Sequence, residues 1–259
     1  MAYTIPNAMT LESKRFKQIR LGLQAAPNTG KTTAALTAPG PVVADFDNKL
    51  SASNALNAGK KLSEITIIPF YNAEFVDKLV PRSHPVFAPN KRDAFSKWLS
   101  TEAVKLQEDQ TLIIDSWTML QAAFDQQQSY EPAVSKKGAE DKFVFWAAKI
   151  DYAKNVMERL KTLNCNVIVT FHESVERDED GKPTGKCRPV MQGAFADQIA
   201  GHFTDYFRCH AEAKAGQPTT YLWQVAPDNS CNCGTHLSGL KPRVPATWDI
   251  FVNPDKYKA

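Results

Sequence analysis

The stretch from Ala25 to Thr33, Ala-Ala-Pro-Asn-Thr-Gly-Lys-Thr-Thr, constrains the fold of this 259-residue chain more than any other. It lies between an apolar run that predicts a strand over about 18–23 and an alanine-rich run that predicts a helix from Gly30 to about residue 38. Strand, glycine-containing loop and helix match the phosphate-loop pattern G-x-x-x-x-G-K-[S/T]. Ala25 occupies the first glycine position, where a small residue still fits. The stretch therefore predicts a binding site for phosphate groups.

The residue types in this loop suit that chemistry. Gly30 lets backbone N–H groups turn toward phosphate oxygens. Lys31 is expected to reach the β- and γ-phosphates, and the Thr32 hydroxyl to hold Mg²⁺. The predicted cofactors are thus ATP and Mg²⁺, and the predicted nucleotide contacts are Ala26, Pro27, Asn28, Thr29, Gly30, Lys31, Thr32 and Thr33. The alternative is a glycine-containing turn with a solvated lysine.

Three more predicted strands end in polar side chains. These side chains are Asp45, Asp47, Asp115 and His172, in the runs 42–47, 111–116 and 167–172. Helical patterns separate the strands, which indicates a parallel sheet covered on both faces. Ligands of such sheets bind beyond the carboxyl ends of the strands. We therefore expect these side chains to surround the phosphate loop.

Each of these side chains has a predicted role and a structural alternative. Asp115 fits the second acidic element of phosphate-loop enzymes, which supports Mg²⁺ together with Thr32; the alternative is a helix cap. Asp47 is predicted to orient and deprotonate the attacking water, or else to cap the next helix. His172 is predicted to contact the γ-phosphate and relay its loss to the following loop, or to be a satisfied histidine near the sheet edge.

The segments AAPNTGKTT, VVADFD, LIIDSWT and VIVTFHES, in this order and spacing, resemble the RecA-like ATPase core over about residues 15–250. With the late segment 240–245, they resemble more narrowly the phage-encoded RecA-like recombinases of the Sak-four type, which are single-strand annealing proteins. The resemblance implies an α/β fold, a RecA-like P-loop NTPase core with a mostly parallel sheet flanked by helices and a C-terminal β extension. We expect one domain over 1–259, with a leader (1–15), a core (16–226) and an irregular C-terminal segment (227–259).

The resemblance also implies how the nucleotide site is built. In RecA-like folds the strand that ends in the phosphate sensor lies between the phosphate-loop strand and the acidic strand, which would bring His172 to the nucleotide in place of the usual glutamine. The second strand of RecA ends in Asp-x-Glu, with the glutamate as the base. Asp47 is shorter than that glutamate, so slow hydrolysis is expected.

The same resemblance implies partners. The expected activity is that of a DNA-dependent ATPase that binds single-stranded DNA and promotes annealing and homologous recombination as a homo-oligomer, in a ring or filament, with a single-stranded-DNA-binding protein as a further partner. Two loops, 125–140 and 173–196, correspond to the DNA-binding loops, and Lys241 and Arg243 correspond loosely to basic residues that reach the neighbouring subunit's γ-phosphate. The DNA-binding candidates are Lys136, Lys137, Arg177, Lys182, Lys186 and Arg188.

Composition is compatible with these expectations but does not require them. The net charge of +3 and the pI near 8.5 permit binding to nucleic acid without demanding it. Five scattered cysteines indicate reduced thiols. The sequence contains neither a signal peptide nor a stretch of 18 apolar residues, so we expect a soluble, cytoplasmic protein without a membrane partner, in the bacterial host's cytoplasm if phage-encoded.

Other interpretations remain open from the sequence. One is a P-loop kinase of a small metabolite, which would need an arginine-rich lid. Another is a nucleotide-gated interaction module with little turnover. A zinc site is suggested by Cys231, Cys233 and His236, with Cys209 and His210 as further ligands if the fold brings them close. The alternative is a loop of reduced thiols. A helical stripe predicts core packing through Phe143, Trp146, Ala147, Ile150, Ala153, Met157, Leu160 and Leu163.

Overall fold

A computed structural model describes residues 18–81, 88–128, 142–191, 195–213 and 215–259. The predicted leader and the candidates Lys136 and Lys137 lie outside these ranges. The described strands are β1 Arg20–Ala25, β2 Pro41–Asp45, β3 Thr66–Pro69, β4 Thr111–Asp115, β5 Asn166–Arg177, β6 Pro183–Pro189, β7 Asp205–Glu212, β8 Thr220–Gln224 and β9 Arg243–Pro245. The described α-helices are α1 Lys31–Leu36, α2 Ala52–Asn57, α3 Ala73–Leu79, α4 Ala88–Thr101, α5 Trp117–Gln128, α6 Lys142–Thr162, α7 Phe195–Gln198 and α8 Asp249–Val252.

These strands form one mostly parallel sheet in the order β3-β2-β4-β5-β1-β7-β8-β9, with β6 paired to β5 alone. Strands β3 to β7 along this path are parallel, and β8 and β9 continue the sheet in antiparallel fashion. The predicted α/β fold with a C-terminal β extension is therefore confirmed. Strand β5 lies between β1 and β4, as the resemblance implied, and its His172 is in register with Ala25.

Alternating side chains of the central strands pack into two hydrophobic cores, one on each face of the sheet. Ile113 and Ile168 face the core shared with α1, α2 and the C-terminal segment. Their neighbours Leu112 and Val167 face the core shared with α3 to α7. Because side chains of a strand alternate between faces, both faces of these strands are apolar and both are covered. The covered faces leave the carboxyl edge of the sheet as the place for polar chemistry.

Helix α6 corrects the prediction that its whole apolar stripe is core. Ala153, Met157, Leu160 and Leu163 are buried, whereas Phe143 is 77% exposed, Trp146 is 50% exposed and Ala147 is also exposed. At the N-terminal end of this 21-residue helix the buried apolar side chain is instead Phe145, whose ring packs against Phe124 of α5. No described helix is long and apolar enough to cross a membrane.

Three predicted irregular segments contain regular structure. The segment 173–193, predicted as a loop, continues β5 to Arg177 and returns as β6, which pairs antiparallel with it. The start of the predicted loop 125–140 belongs to α5, which ends at Gln128. The C-terminal segment contributes β9 to the sheet and forms α8. The charged or glutamine-rich sequence of these segments led to the prediction of loops. An exposed hairpin and the end of a helix can form with few apolar residues, so their sequences lack a periodic apolar pattern.

Candidate nucleotide site

A cleft of about 150 Å³ opens at the carboxyl edge of the sheet, at the ends of β1, β2 and β4 and beside His172 of β5. It brings together every predicted nucleotide contact except Ala26, and with them Asp47, Asp115 and His172. The lining residues are Pro27, Asn28, Thr29, Gly30, Lys31, Thr32, Thr33, Asp47, Lys49, Asn54, Asp115 and His172. The cleft therefore contains, in one place, the groups that the sequence predicted from four separate strands.

The phosphate loop connects β1 directly to α1 through two left-handed residues. Asn28 has φ 63° and Gly30 has φ 82°. A side chain at Gly30 would be strained by this backbone conformation, and its Cβ would lie 2.5 Å from Cδ1 of the Tyr221 ring. Glycine is thus required at position 30 both for conformation and for space.

Lys31 begins α1, and its side chain folds back under the loop. Its Nζ donates to the carbonyl oxygens of Ala25 at 2.9 Å and Ala26 at 2.7 Å. Burial lowers the pKa of this ammonium group. Ala26 therefore contributes its backbone oxygen to the loop rather than lining the cleft. The lysine lies where it can exchange these carbonyls for the oxygens of a bound phosphate.

Thr32 and Asp115 form a pair of oxygen donors at the base of the cleft. The Thr32 hydroxyl donates to Oδ2 of Asp115 at 2.7 Å, and the Thr170 hydroxyl donates to Oδ1 at 2.6 Å. Burial raises the pKa of Asp115, although both hydrogen bonds favour its charged form. Hydroxyl and carboxylate oxygens are ligands that Mg²⁺ accepts, so this donor set fits the predicted ion.

The two carboxylates after β2 have different surroundings. Asp45 is buried below the cleft, and its Oδ1 accepts the backbone N–H groups of Asp47 at 3.0 Å and Asn48 at 2.9 Å. Burial raises the pKa of Asp45 to about 6. Asp47 lines the cleft, where its Oδ1 accepts the Ser116 hydroxyl at 3.2 Å and its Oδ2 lies 3.5 Å from Nζ of Lys49. Of the two, Asp47 is the one within reach of a bound nucleotide.

His172 lies across the cleft from Asp47, with 3.9 Å between its Nε2 and Oδ2 of that carboxylate. Burial, and then the charge of Lys31, lower the pKa of the imidazole. At neutral pH the ring is therefore uncharged and can donate one hydrogen bond and accept another. The backbone N–H of His172 donates to Thr118 Oγ1 at 3.0 Å, which fixes the strand at this point.

The residue after His172 begins a polar network that leads away from the cleft. Both carboxylate oxygens of Glu173 accept hydrogen bonds from the Arg208 guanidinium at 2.9 Å, and Gln24 donates to the same carboxylate at 3.2 Å. Arg208 also donates to Cys187 Sγ on β6 at 3.1 Å. A continuous chain of hydrogen bonds thus joins β5, one residue past the cleft, to β6 through Arg208.

The hairpin carries the four basic residues predicted to bind DNA, outside the nucleotide cleft. At its turn, Arg177 donates to the Gly181 carbonyl, and Nζ of Lys182 lies 3.8 Å from Oδ2 of Asp180. Lys186 and Arg188 are exposed two residues apart on β6. Alternation places them on one face of the strand, so they are the better placed pair for phosphate contacts.

Lys241 and Arg243 lie at the far edge of the sheet rather than at the cleft. Arg243 begins β9, the last strand, and its guanidinium is 3.4 Å from Oε1 of Glu212. Three strand spacings, about 14 Å, separate β9 from β1. Neither residue lines this chain's own nucleotide cleft.

The suggested zinc ligands lie in separate contacts. Sγ of Cys231 is 3.3 Å from Sγ of Cys233, but the His236 ring bonds to Asp205, with 2.8 Å between Nδ1 and Oδ2. His210 contacts Gln224 instead. Among the described residues, no three His, Cys, Asp or Glu side chains form a group that could hold a metal ion.

Sequence reasoning missed several side chains of the cleft. Lys49 and Asn54 line it, and Asn54 Nδ2 donates to Thr33 Oγ1 at 3.1 Å. Thr170 holds Asp115, and Ser116 holds Asp47. Thr170 could have been found from strand alternation, because it lies two residues before His172. Lys49 and Asn54 carry no such signal, since they follow an irregular turn.

This chain has similarity to one family profile and to several solved structures. A search of curated proteins gives no match. Among solved structures, the assembled type III secretion ATPase EscN of enteropathogenic E. coli is 11% identical, with TM-score 0.46 over 90% of this chain and 54% of EscN. The flagellar accessory protein FlaH of Methanocaldococcus jannaschii is 13% identical, with TM-score 0.38 over 80% of this chain and 76% of FlaH. The chain thus spans about half the length of EscN.

One family profile, described as an AAA domain, matches residues 17–231, which is most of the chain. The match includes the phosphate loop, the strands β2 and β4 that end in aspartates, and the strand β5 that contains His172. It supports nucleotide binding and ATP hydrolysis in general, and the use of Mg²⁺ that usually accompanies them. The chain belongs to the AAA domain family of P-loop ATPases.

Proposed function

We propose that this protein is a DNA-dependent ATPase that binds single-stranded DNA and promotes annealing and homologous recombination as an oligomer, as Sak-four type recombinases do. The observation that carries the proposal is the course of β5. This strand passes the nucleotide cleft at His172 and continues without interruption into the hairpin with Lys186 and Arg188. One element therefore connects a phosphate-binding cleft to an exposed basic surface.

In the proposed hydrolysis, Asp47 orients the attacking water and accepts its proton. Ser116 and the buried setting of the carboxylate fix its direction. Lys31 binds the β- and γ-phosphates, and Thr32 with Asp115 would hold Mg²⁺, which spreads the charge of the phosphates when bound. An aspartate is one methylene shorter than a glutamate, so the geometry favours slow turnover.

In the proposed coupling, His172 responds to the γ-phosphate and the hairpin responds to His172. The carbonyl of His172 accepts the backbone N–H of Val190, which follows β6. Glu173 is fixed by Arg208, which also contacts Cys187 in the middle of β6. A shift of β5 at the cleft would therefore move the C-terminal half of β6. Phosphate contacts from Lys186 and Arg188 would attach the DNA backbone to this moving element.

The oligomer belongs to the same proposal. Arg243 is exposed on the edge strand β9 and Lys241 is exposed just before it, too far along the sheet to serve this chain's own cleft. A ring or filament that places this edge against a neighbouring cleft would bring their charge to the neighbour's phosphate. The acidic partner of Arg243 is half-exposed, so the ion pair can exchange at an interface.

The kinase alternative receives less support from the hairpin. A kinase lid must close over the transferred phosphate, whereas β5 and β6 are paired strands that project from the sheet. The low-turnover alternative gains support from Asp47, whose Oδ2 lies near both Lys49 and His172. Hydrolysis rate is therefore the quantity that separates it from the proposal.

The test is phosphate release by the full chain with Mg²⁺ and ATP, with and without an unstructured oligonucleotide, beside a screen of small phosphoacceptors. We expect slow release that the oligonucleotide stimulates, and no transfer to any acceptor. Transfer to an acceptor would instead identify a kinase. Nucleotide binding without release, with or without DNA, would identify a nucleotide-gated binding module.

A further inference from the structure

The turn after β2 is built to present two side chains to the cleft. The Asp45 carboxylate accepts two successive backbone N–H groups of this turn, and Asn48 adopts a left-handed conformation with φ 53°. A non-glycine residue in that conformation is uncommon and points to a constrained local structure. The turn delivers Asp47 and, two residues later, Lys49 to the same cleft.

Lys49 differs from the other cation of the cleft. Lys31 is buried and donates to two backbone carbonyls, whereas the Lys49 side chain is 68% exposed and its Nζ lies 3.5 Å from Oδ2 of Asp47. The Asp47 carboxylate is largely buried, but the ammonium lies in solvent and the contact is long, so the ammonium can leave Asp47 for another anion. Among the described residues, no arginine lines the cleft.

We propose that Lys49 is a catalytic residue that binds the γ-phosphate from within the same chain. This inference rests on the proposed function, because it takes Asp47 as the base and therefore the γ-phosphate as the group beside it. The ammonium would leave Asp47 for a γ-phosphate oxygen when ATP binds. It would neutralise charge that develops there and free the carboxylate to accept a proton.

The proposal predicts that Lys49 distinguishes ATP from ADP. Its expected contact is a charge-assisted hydrogen bond to an oxygen that ADP lacks. Removal of such a contact weakens binding by roughly 10- to 100-fold. The measurement is equilibrium binding of a non-hydrolysable ATP analogue and of ADP, both with Mg²⁺, to the full chain by calorimetry.

The variants are Lys49→Met, which keeps the length of the side chain, Lys49→Arg, which keeps the charge, and the matched control Lys61→Met. Lys61 is exposed and lies outside the cleft. We expect Lys49→Met to lose affinity for the analogue and not for ADP, Lys49→Arg to keep most of it, and Lys61→Met to match the wild type.

An unchanged ratio of the two affinities in folded Lys49→Met would overturn the inference, even if hydrolysis fell. That result would mean that Lys49 only positions Asp47. A wild-type chain that bound neither nucleotide would contradict the proposed function itself, and with it the inference about Lys49. The two failures are therefore distinguishable from the same titrations.

Discussion

Asp45 and Asp47 show how two identical side chains, two residues apart, acquire different chemistry from their surroundings. Asp45 is buried and accepts backbone N–H groups of its own turn. Asp47 points into the cleft beside Ser116 and Lys49. The first carboxylate holds the turn, and the second is available to a ligand. We therefore expect substitutions at the two positions to affect different quantities.

Asp47→Asn is expected to reduce hydrolysis by roughly 100-fold or more while ATP affinity changes little. A base that acts on water contributes in the transition state and not to ground-state binding. The measurements are single-turnover phosphate release and nucleotide binding by calorimetry. Asp45→Asn serves as the comparison, and we expect a smaller loss from it. Normal hydrolysis by Asp47→Asn together with loss in Asp45→Asn would reverse the assignment of the two carboxylates.

Asp45 is also expected to make stability depend on pH. Its pKa is raised to about 6 in the folded chain, against about 3.9 in an unfolded one, so the folded state binds this proton more tightly. Its contribution to the free energy of unfolding therefore increases as pH falls through 6 and is lost as pH rises.

Denaturant unfolding of the wild type and Asp45→Asn at pH 8 and pH 5 measures this contribution. The stability of the wild type relative to the variant should increase by about 1 kcal/mol at the lower pH. A relative stability that stays constant, or that is greater at pH 8, would show that the Asp45 carboxyl is not perturbed by burial.

Among the elements of the fold, the β5–β6 hairpin is the one that we propose binds DNA. Lys186→Ala with Arg188→Ala should weaken binding of single-stranded DNA about tenfold and reduce the slope of log affinity against log salt by about 1.4, because two phosphate contacts are lost. Lys182→Ala is the matched control, since its ammonium already lies near Asp180. The measurement is an oligonucleotide titration at two salt concentrations.

Coincident curves for the double variant and the wild type at both salt concentrations would remove the hairpin from the DNA site. In that case Lys136 and Lys137, which lie outside the described residues, become the candidates to test next by the same titration. A loss of equal size in Lys182→Ala would indicate a general charge effect instead of contacts by the chosen face of β6.

Elements with strong patterns could be predicted from the sequence, and elements on the surface could not. Apolar runs with polar residues at their ends predict the phosphate loop, the strands that end in aspartates and the position of β5. Few folds can accommodate such runs in this order. Phe143 and Trp146 fit a helical stripe but are exposed, and periodicity alone cannot show which turns of a helix are covered by the rest of the fold. Lys49 enters the site through the left-handed Asn48, and no spacing rule anticipates such a turn.

In the whole molecule, the order of the strands brings the proposed nucleotide site and the β5–β6 hairpin to the same edge of the sheet. The phosphate-loop strand β1, the strand β5 with His172 and the strand β4 with Asp115 lie side by side, so the cleft collects Lys31, His172 and Asp115 at one edge. The β5–β6 hairpin extends from the same edge of the sheet. Chemistry at the cleft and binding at the hairpin should therefore depend on one another.

The most direct test measures phosphate release by the wild type, Lys31→Ala and the double variant Lys186→Ala with Arg188→Ala, each with and without single-stranded DNA. We expect that DNA stimulates the wild type, that Lys31→Ala stays folded and releases no phosphate, and that the double variant keeps its basal rate and loses the stimulation. Turnover by folded Lys31→Ala, or a wild-type rate that DNA leaves unchanged, would contradict the proposed function.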